Sequence, residues 1–223
     1  MTSGDAWQPP EPSGLREARG ALALAAGIAL GLGLFRRSWG LAAALAIPAV
    51  LAFHRDPVRS PKGPLTAQEV LAPGEGRILR IGPARDSLGE ECLEVSTFLA
   101  LWNVHVQRFP IDGVVISRKD RPGGFLPAFL ARAGEANQST TVRIERNAVT
   151  CEVVQVTGSL ARRIVCWARD GDRVRAGQRL GMIKLGSQVV LRVPLGTRIL
   201  VSERQRVRAG ETIMAVLPAA RGL

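Results

Sequence analysis

The sequence Arg173-Val174-Arg175-Ala176-Gly177 recurs in the C-terminal third of the chain as Arg206-Val207-Arg208-Ala209-Gly210. Each copy is followed by an apolar run, Leu180–Ile183 after the first and Thr212–Val216 after the second. In such a unit the valine packs inward while the glycine turns the chain back, so that two units pair into a small flattened sandwich. The repeat therefore predicts a closed β structure built from two hairpins.

This repeat resembles the hammerhead hairpins of lipoyl- and biotinyl-type barrels. Upstream of it, short runs rich in Val, Ile and Leu alternate with Gly, Pro and Arg, which is typical of a β-barrel or sandwich. One segment, Phe125–Ala133, is predicted to be locally helical. The fold class expected is mainly β, a barrel or sandwich with lipoyl/biotinyl-like hammerhead repeats. The predicted strands are Gly76–Ile81, Cys92–Leu101, Gly113–Ser117, Thr140–Arg146, Thr150–Gly158, Ile164–Ala168 and Gln188–Val193.

The N-terminal segment has a different composition. Residues 1–19 contain three prolines and mixed charges, and they are predicted to form a disordered tail. Two uncharged runs, Gly20–Phe35 and Ser38–Phe53, are separated by Arg36-Arg37, and each is shorter than the about 20 residues of a perpendicular membrane helix. Because the runs lack a polar face, we expect a hydrophobic helical hairpin over residues 20–53 that dips into a membrane or spans it as two short helices. A secretory signal and a buried soluble hairpin are the weaker alternatives.

The charge balance restricts the class of partner. The net charge is +11 and the pI is near 11.3, which suits nucleic acid or a surface of acidic phospholipid. The chain has no Tyr and therefore few of the aromatic side chains on which bases stack, which argues against nucleic-acid binding. Cys92, Cys151 and Cys166 show no CxxC spacing, which argues against a disulfide framework and a metal site and favours a reducing compartment.

A Gly-Ser pair, Gly186-Ser187, lies at the exit of the first repeat. In a strained turn the serine hydroxyl can attack the glycine carbonyl and shift the acyl group from nitrogen to oxygen. β-Elimination of the ester then leaves dehydroalanine, which hydrolyses to a pyruvoyl group and ammonia. Glycine permits this because it has no Cβ to block the attack. Most Gly-Ser pairs lie in ordinary turns, so the surrounding motifs must show whether this pair undergoes the reaction.

Several motifs accompany the pair in a fixed order. They are Phe53-His54-Arg55-Asp56-Pro57, Ala72-Pro73-Gly74-Glu75-Gly76, Leu101-Trp102-Asn103-Val104-His105-Val106-Gln107-Arg108-Phe109-Pro110, Gln155-Val156-Thr157-Gly158-Ser159-Leu160-Ala161-Arg162-Arg163 and Gly181-Met182-Ile183-Lys184-Leu185-Gly186-Ser187. In this order the chain resembles the short bacterial form of the phosphatidylserine decarboxylase proenzyme, a self-processing pyruvoyl enzyme. The resemblance covers approximately residues 50 to 217.

The resemblance implies a decarboxylase domain over residues 54–223 that cuts itself between Gly186 and Ser187. The products would be a β subunit, 1–186, and an α subunit, 187–223, that begins with a pyruvoyl group derived from Ser187. The substrate amine would form a Schiff base with this group, which accepts the electrons released with CO₂. His105 is expected to donate the proton that replaces CO₂ and to activate Ser187 before the cut. No metal is implied.

Two departures from the family pattern qualify the site. Glu75 stands where the family has the aspartate of a Pro-Ala-Asp-Gly box, and it is expected to orient the processing base, with Asp112 as an alternative carboxylate. Arg108 stands where longer members have a second histidine, and a guanidinium cannot serve as a base. We expect Arg108, Arg162 and Arg163 to bind the phosphate or carboxylate of the substrate.

The function that the resemblance implies is conversion of phosphatidylserine to phosphatidylethanolamine. Cysteine usage and the apolar hairpin predict a location at the cytoplasmic face of a bacterial inner membrane, either peripheral or anchored by the hairpin. The expected partners are an anionic phospholipid, the membrane, and the α and β subunits of one precursor, with a homodimer left open and no nucleic acid. Two alternatives stand beside it. One is a decarboxylase of another seryl phospholipid, such as an ether-linked one, and the other is a non-catalytic, membrane-attached lipoyl-like barrel.

Overall fold

The computed structural model describes residues 13–61, 63–130, 132–159, 163–184 and 187–218. The described chain divides into two compact units, a helical unit that ends at Pro57 and a β unit that begins at Val58. The helices are α1 (Ser13–Phe35), α2 (Arg37–Ala44), α3 (Ala46–Phe53) and α4 (Ala133–Ala136). The strands are β1 (Glu69–Leu71), β2 (Gly76–Arg85), β3 (Glu91–Leu99), β4 (Val106–Arg108), β5 (Gly113–Arg121), β6 (Ser139–Arg146), β7 (Val149–Val156), β8 (Arg163–Cys166), β9 (Arg173–Val174), β10 (Arg179–Lys184), β11 (Ser187–Pro194), β12 (Arg198–Ile199), β13 (Arg206–Val207) and β14 (Ile213–Val216).

The β unit is built on one large antiparallel sheet. Within the described residues its strand order is β13-β2-β3-β11-β7-β6-β5-β9, and the sheet curls into a half-barrel. Two three-stranded sheets, β1-β14-β12 and β4-β10-β8, accompany it. The protein contains 41% strand and 20% helix, which confirms the predicted mainly β class. All seven strands predicted from the apolar runs are present.

The repeat places matching two-residue strands, β13 and β9, at the two edges of the large sheet, and after each turn the chain continues into one of the three-stranded sheets. In the second copy Val207 pairs with Gly76 of β2, and in the first copy Val174 pairs with Gly113 of β5. Both valines are buried, as the repeat predicts. The glycines that follow, Gly177 and Gly210, adopt φ of +81° and +72°, a region that favours glycine. Each edge of the large sheet is therefore formed by one copy of the repeat, and β11 and β7 lie at the centre.

Gly76→Ala is expected to lower the free energy of unfolding by about 1–3 kcal/mol, because a Cβ at Gly76 would overlap the carbonyl oxygen of Phe98 on the neighbouring strand. Gly82→Ala is the matched control in the same strand, since a Cβ there meets nothing within 4 Å. The measurement is the denaturant midpoint of each variant. Equal midpoints for the two variants would show that β2 and β3 do not approach this closely.

The helix predicted over Phe125–Ala133 is wrong. The described part of that segment forms turns, and the helix in this region is α4, which starts at Ala133. The reason lies in Asn137, whose Oδ1 accepts from the Leu126 backbone N and whose Nδ2 donates to the Leu126 carbonyl oxygen, both at 2.8 Å. These backbone groups are therefore satisfied by a side chain from outside the segment rather than by a helical turn.

The N-terminal unit is helical from Ser13, so residues 13–19 belong to α1 and not to a disordered tail; residues 1–12 lie outside the described residues. The apolar helical segment Arg16–Phe35 has 20 residues and is long and apolar enough to cross a membrane, which corrects the length expected from the uncharged run alone. A Cβ on Gly40 of α2 would lie 2.6 Å from the Cα of Gly33 in α1. Such close approach through small residues is typical of membrane helices. Insertion of the hairpin into a membrane stays a prediction.

Candidate active site

Polar side chains lie inside the β unit at one end of the large sheet. β3 ends at Leu99, β7 ends at Val156, and β11, antiparallel to both, begins at Ser187, so these three termini share one end. The buried polar residues near this end include Thr97, His105, Gln107, Asn137, Ser139, Gln155, Thr157, Ser187 and Gln188. Burying polar groups in an apolar core costs free energy unless they are hydrogen-bonded, so such a cluster is a candidate functional site.

Ser187 is the first residue of β11 and is fully buried. Strand alternation places it on the same face as Val189 and Leu191, which belong to the hydrophobic core. Its Oγ has no hydrogen-bond partner within the part of the chain that the structure describes. An unsatisfied buried hydroxyl costs about 1–3 kcal/mol, which suits a nucleophile better than a structural serine. Gly186, the predicted partner in the cut, lies outside the described residues.

His105 is fully buried, and its Nδ1 lies 2.9 Å from the carbonyl oxygen of Asn103. Because a carbonyl oxygen only accepts hydrogen bonds, Nδ1 donates in this contact, and in the neutral form of the ring the lone pair is then on Nε2. The backbone carbonyl of His105 accepts from Gln107 Nε2 at 2.7 Å, and Gln107 Oε1 accepts from Gln155 Nε2 at 2.8 Å. This chain of buried amides fixes the backbone at His105 and leaves an imidazole suited to accept a proton.

Two backbone routes bring His105 to the end of the sheet where Ser187 lies. The Ile183 N–H of β10 donates to the His105 carbonyl at 3.3 Å, and β10 leads into Ser187 through Leu185 and Gly186. On the other side, Ser187 pairs with Leu99, and the turn that follows Leu99 is closed by Asn103, whose Oδ1 accepts from the Ala100 N–H at 3.0 Å. The structure thus brings together the chain segments of the predicted nucleophile and the predicted acid–base residue.

Glu75 reaches the same turn. Its Oε1 accepts from the Val104 backbone N at 3.2 Å, next to His105, and its Oε2 lies 2.5 Å from Nη2 of Arg59. Nη1 of Arg59 lies 2.7 Å from Oε1 of Glu211. Glu75 therefore positions the turn before His105 through the backbone. Asp112, at the matching position in the other half of the sheet, instead accepts from the Ala176 backbone N at 2.7 Å.

The three arginines predicted to bind substrate are placed differently from one another. Arg108 is buried and donates through Nη1 to the Gly177 carbonyl at 2.9 Å. A Cβ on Gly210 would lie 2.7 Å from its Cδ, so Arg108 packs between the two repeat turns. Arg163 is exposed and pairs with Lys184, close to the predicted cut, whereas Arg162 lies outside the described residues. Substrate binding by these arginines stays a prediction.

The cysteines offer no competing nucleophile. All three are free, and burial raises the pKa of Cys92 and Cys166 to about 11 and that of Cys151 to about 12. Thiols with such pKa values are protonated at neutral pH and react slowly. Over the described ranges there is no group of three or more His, Cys, Asp or Glu side chains that could hold a metal ion.

Sequence reasoning missed Arg59 and the role of Asn103. Arg59 is almost buried and bridges two carboxylates that are distant in sequence, so no local sequence pattern indicates its role. Asn103 fixes the tautomer of His105 through its backbone carbonyl and closes the turn through its side chain. Its place in the run Trp102-Asn103-Val104-His105 was the available signal.

Comparison with known proteins identifies a family. A family model described as phosphatidylserine decarboxylase matches residues 48–215. The phosphatidylserine decarboxylase proenzyme of Xanthobacter autotrophicus is 41% identical over 210 residues, which cover 92% of this chain and 89% of the relative. The proenzymes of Burkholderia mallei, 39% identical over 217 residues (94% and 97%), and of Azorhizobium caulinodans, 42% identical over 211 residues (92% and 89%), are similar over comparable spans.

These matches confirm the resemblance indicated by the motifs and the expectation of an enzyme of the decarboxylase class. They cover the turn of Glu75, the turn of His105 and the predicted cut before Ser187. The chain belongs to the phosphatidylserine decarboxylase family.

Proposed function

We propose that this chain is a self-processing, pyruvoyl-dependent decarboxylase that converts phosphatidylserine to phosphatidylethanolamine. Beside the family membership, one observation carries the proposal: the hydroxyl of Ser187 is fully buried and unpartnered among the described residues, at the start of β11. A structural serine in this position would be expected to hydrogen-bond to a neighbouring strand or turn. An orphaned hydroxyl directly after a glycine fits the residue that becomes the prosthetic group.

The processing step uses groups that this chain supplies. His105, with its lone pair on Nε2, takes the proton of the Ser187 hydroxyl as the oxygen attacks the carbonyl carbon of Gly186. The C–N bond to Ser187 breaks, an ester forms, and the proton passes to the freed amine. Loss of the α-proton of Ser187 with departure of the ester oxygen cuts the chain. Hydrolysis of the resulting dehydroalanine releases ammonia. Glu75 assists by holding the backbone of Val104.

In decarboxylation the pyruvoyl group supplies an electron sink for the bond electrons that CO₂ leaves behind. The remaining tasks fall to the protein. His105 donates a proton to the α-carbon after CO₂ departs, since an imidazole suits proton transfer near neutral pH. Burial of the site excludes bulk water and strengthens the hydrogen bonds that hold His105.

We further propose that the enzyme works at the cytoplasmic face of a bacterial inner membrane. The apolar segment Arg16–Phe35 supplies a hydrophobic anchor, and the net charge of +11 supplies attraction to acidic lipid. These are the two signals that stable attachment needs. The buried cysteine thiols suit a reducing compartment.

The test is decarboxylation by the purified full-length protein in non-ionic detergent, with phosphatidylserine labelled at the serine carboxyl. Labelled CO₂ and phosphatidylethanolamine should appear in equal amounts, and Ser187→Ala should produce neither. Ether-linked phosphatidylserine, assayed in parallel, separates the rival substrate, because a rate with this lipid at least tenfold above the diacyl rate would favour it. A wild-type chain that stays inert with both lipids would overturn the enzyme proposal and favour the non-catalytic barrel.

A further inference from the structure

A cleft of about 510 Å³ opens beside Glu75 at the junction of β2, β13 and the end of β3. Three arginines line it, Arg77, Arg206 and Arg208, together with Phe98 and Trp102. None of these arginines was among the substrate-binding residues expected from the sequence. Three guanidinium groups in one cleft indicate an anionic ligand.

The pairing of β2 with β13 places two of these exposed positive charges side by side. Arg206 pairs directly with Arg77, and like charges that face each other across two strands are destabilising. Across the described ranges neither Arg77 nor Arg206 makes a hydrogen bond or an ion pair through its side chain, whereas Nη1 of Arg208 lies 3.5 Å from Oε2 of Glu211. The carboxylate that lines the cleft, Glu75, is already engaged by Arg59 at 2.5 Å. An anion bound between the two arginines would remove this repulsion.

Apolar side chains stand at the same cleft. Trp102 is 75% exposed and its neighbour Leu101 is 45% exposed. Phe98 in the cleft contacts Phe129 edge to face, with ring centroids 6.4 Å apart, and Phe129 is itself 61% exposed. Exposed Trp and Phe beside basic side chains are typical of the boundary between lipid headgroups and acyl chains. A free phosphate or a nucleic acid backbone would not need this apolar border.

We propose that the arginine cleft binds the phosphodiester of a membrane phospholipid, with Arg77, Arg206 and Arg208 on the phosphate and Trp102 and Phe129 toward the acyl chains. The proposal rests on the proposed function in that the lipid held there would be the decarboxylation substrate. Its position beside Glu75, which contacts the turn of His105, would then direct the serine headgroup toward the buried site. Arg108 is not among the residues that line this cleft, and it donates to the carbonyl of Gly177.

The repeat provides a matched pair of variants. Arg206→Gln/Arg208→Gln removes two exposed arginines of the cleft, and Arg173→Gln/Arg175→Gln removes the two exposed arginines at the same positions of the other repeat. Both variants lose the same charge from the same kind of turn. Arg173 faces Val114 rather than a second arginine. A difference between the variants therefore reports the cleft and not the overall charge.

Binding is measured by calorimetry on full-length Ser187→Ala protein in non-ionic detergent, titrated with short-chain phosphatidylserine. We expect the Kd to rise about tenfold or more for Arg206→Gln/Arg208→Gln and to stay within about twofold for Arg173→Gln/Arg175→Gln. Glycerophosphoserine and inorganic phosphate are titrated in separate arms. Binding of inorganic phosphate as tight as that of the lipid would overturn the lipid assignment, and equal losses in the two variants would overturn the cleft itself.

The lipid-binding test and the test of the proposed function can fail independently of each other. Binding is read on a chain that cannot cut itself, so it does not depend on decarboxylation. With Ser187 restored, Arg206→Gln/Arg208→Gln should still cut itself, which shows that it folds, and should raise the KM for phosphatidylserine about tenfold. A variant that cuts itself and keeps the wild-type KM would refute the cleft while leaving the decarboxylase intact.

Discussion

His105→Ala is expected to lower kcat for phosphatidylserine by about 100-fold or more, since general acid–base catalysis contributes 10²–10⁴-fold. The same change should slow self-cleavage, because no other imidazole in the β unit is available to accept the proton of Ser187. The physical basis is the hydrogen bond from Nδ1 to the Asn103 carbonyl at 2.9 Å, which leaves Nε2 as the proton acceptor. Labelled CO₂ release and intact mass together measure both steps.

Two controls keep this prediction falsifiable. His54→Ala removes the other histidine of the chain and should leave kcat unchanged. The Nδ1 of His54 lies 2.9 Å from the Val50 carbonyl oxygen of α3. His105→Gln has a similar volume and keeps a donor for the Asn103 carbonyl, so it removes the imidazole with little disturbance of the fold. Wild-type turnover by His105→Gln would remove His105 from the chemistry.

Glu75→Gln is expected to slow self-cleavage about tenfold and to lower the free energy of unfolding by about 1–3 kcal/mol. The stability loss follows because Arg59, with 12% of its side chain exposed, would lose a carboxylate 2.5 Å away. The rate loss follows because a neutral amide accepts more weakly from the Val104 N–H, and the turn before His105 would be held less firmly. Time-resolved intact mass gives the rate, and denaturant titration gives the stability.

Glu211→Gln separates the two effects, since it removes the other carboxylate of Arg59, 2.7 Å away, without touching Val104. It should lower stability but leave the rate of self-cleavage unchanged. The hydrogen bond from Arg59 lowers the pKa of Glu211 from its ordinary value of 4.5. This pair therefore stabilises the fold above that ordinary value, and its contribution is lost as the pH falls through the lowered pKa. If Glu75→Gln and Glu211→Gln slow self-cleavage equally, Glu75 does not position the turn before His105.

The sequence predicted those parts of the fold that have local signatures. The long strands β2, β3, β6, β7 and β11 contribute apolar residues to the core, and the central strands β7 and β11 are buried on both faces, so runs of Val, Ile and Leu mark them in the sequence. The repeat predicted the two turns because they need glycine at Gly177 and Gly210, where φ is positive, but it did not predict that the strands on either side of each turn lie in different sheets. Strands of two or three residues, such as β1 and β13, were missed because they are defined by their partners and not by their own composition.

The candidate site has local sequence signatures only in part. Ser187, His105 and Glu75 lie in motifs, and the structure places their chain segments at one end of the sheet. Arg59 joins carboxylates 16 and 152 residues away, a contact that only the tertiary fold creates. The arginine cleft is likewise assembled by the pairing of Arg206 with Arg77, far apart in the chain. Such charge clusters have no sequence period to reveal them.

The most direct test of the central claim is the intact mass of freshly purified protein beside its Ser187→Ala variant. We expect two species that meet between Gly186 and Ser187, with the smaller one blocked at its N-terminus and carrying the mass of a pyruvoyl group. The Ser187→Ala variant should remain a single chain of 23.9 kDa. A wild-type protein that also stays a single unmodified chain after long incubation with phosphatidylserine would show that Ser187 does not become a pyruvoyl group.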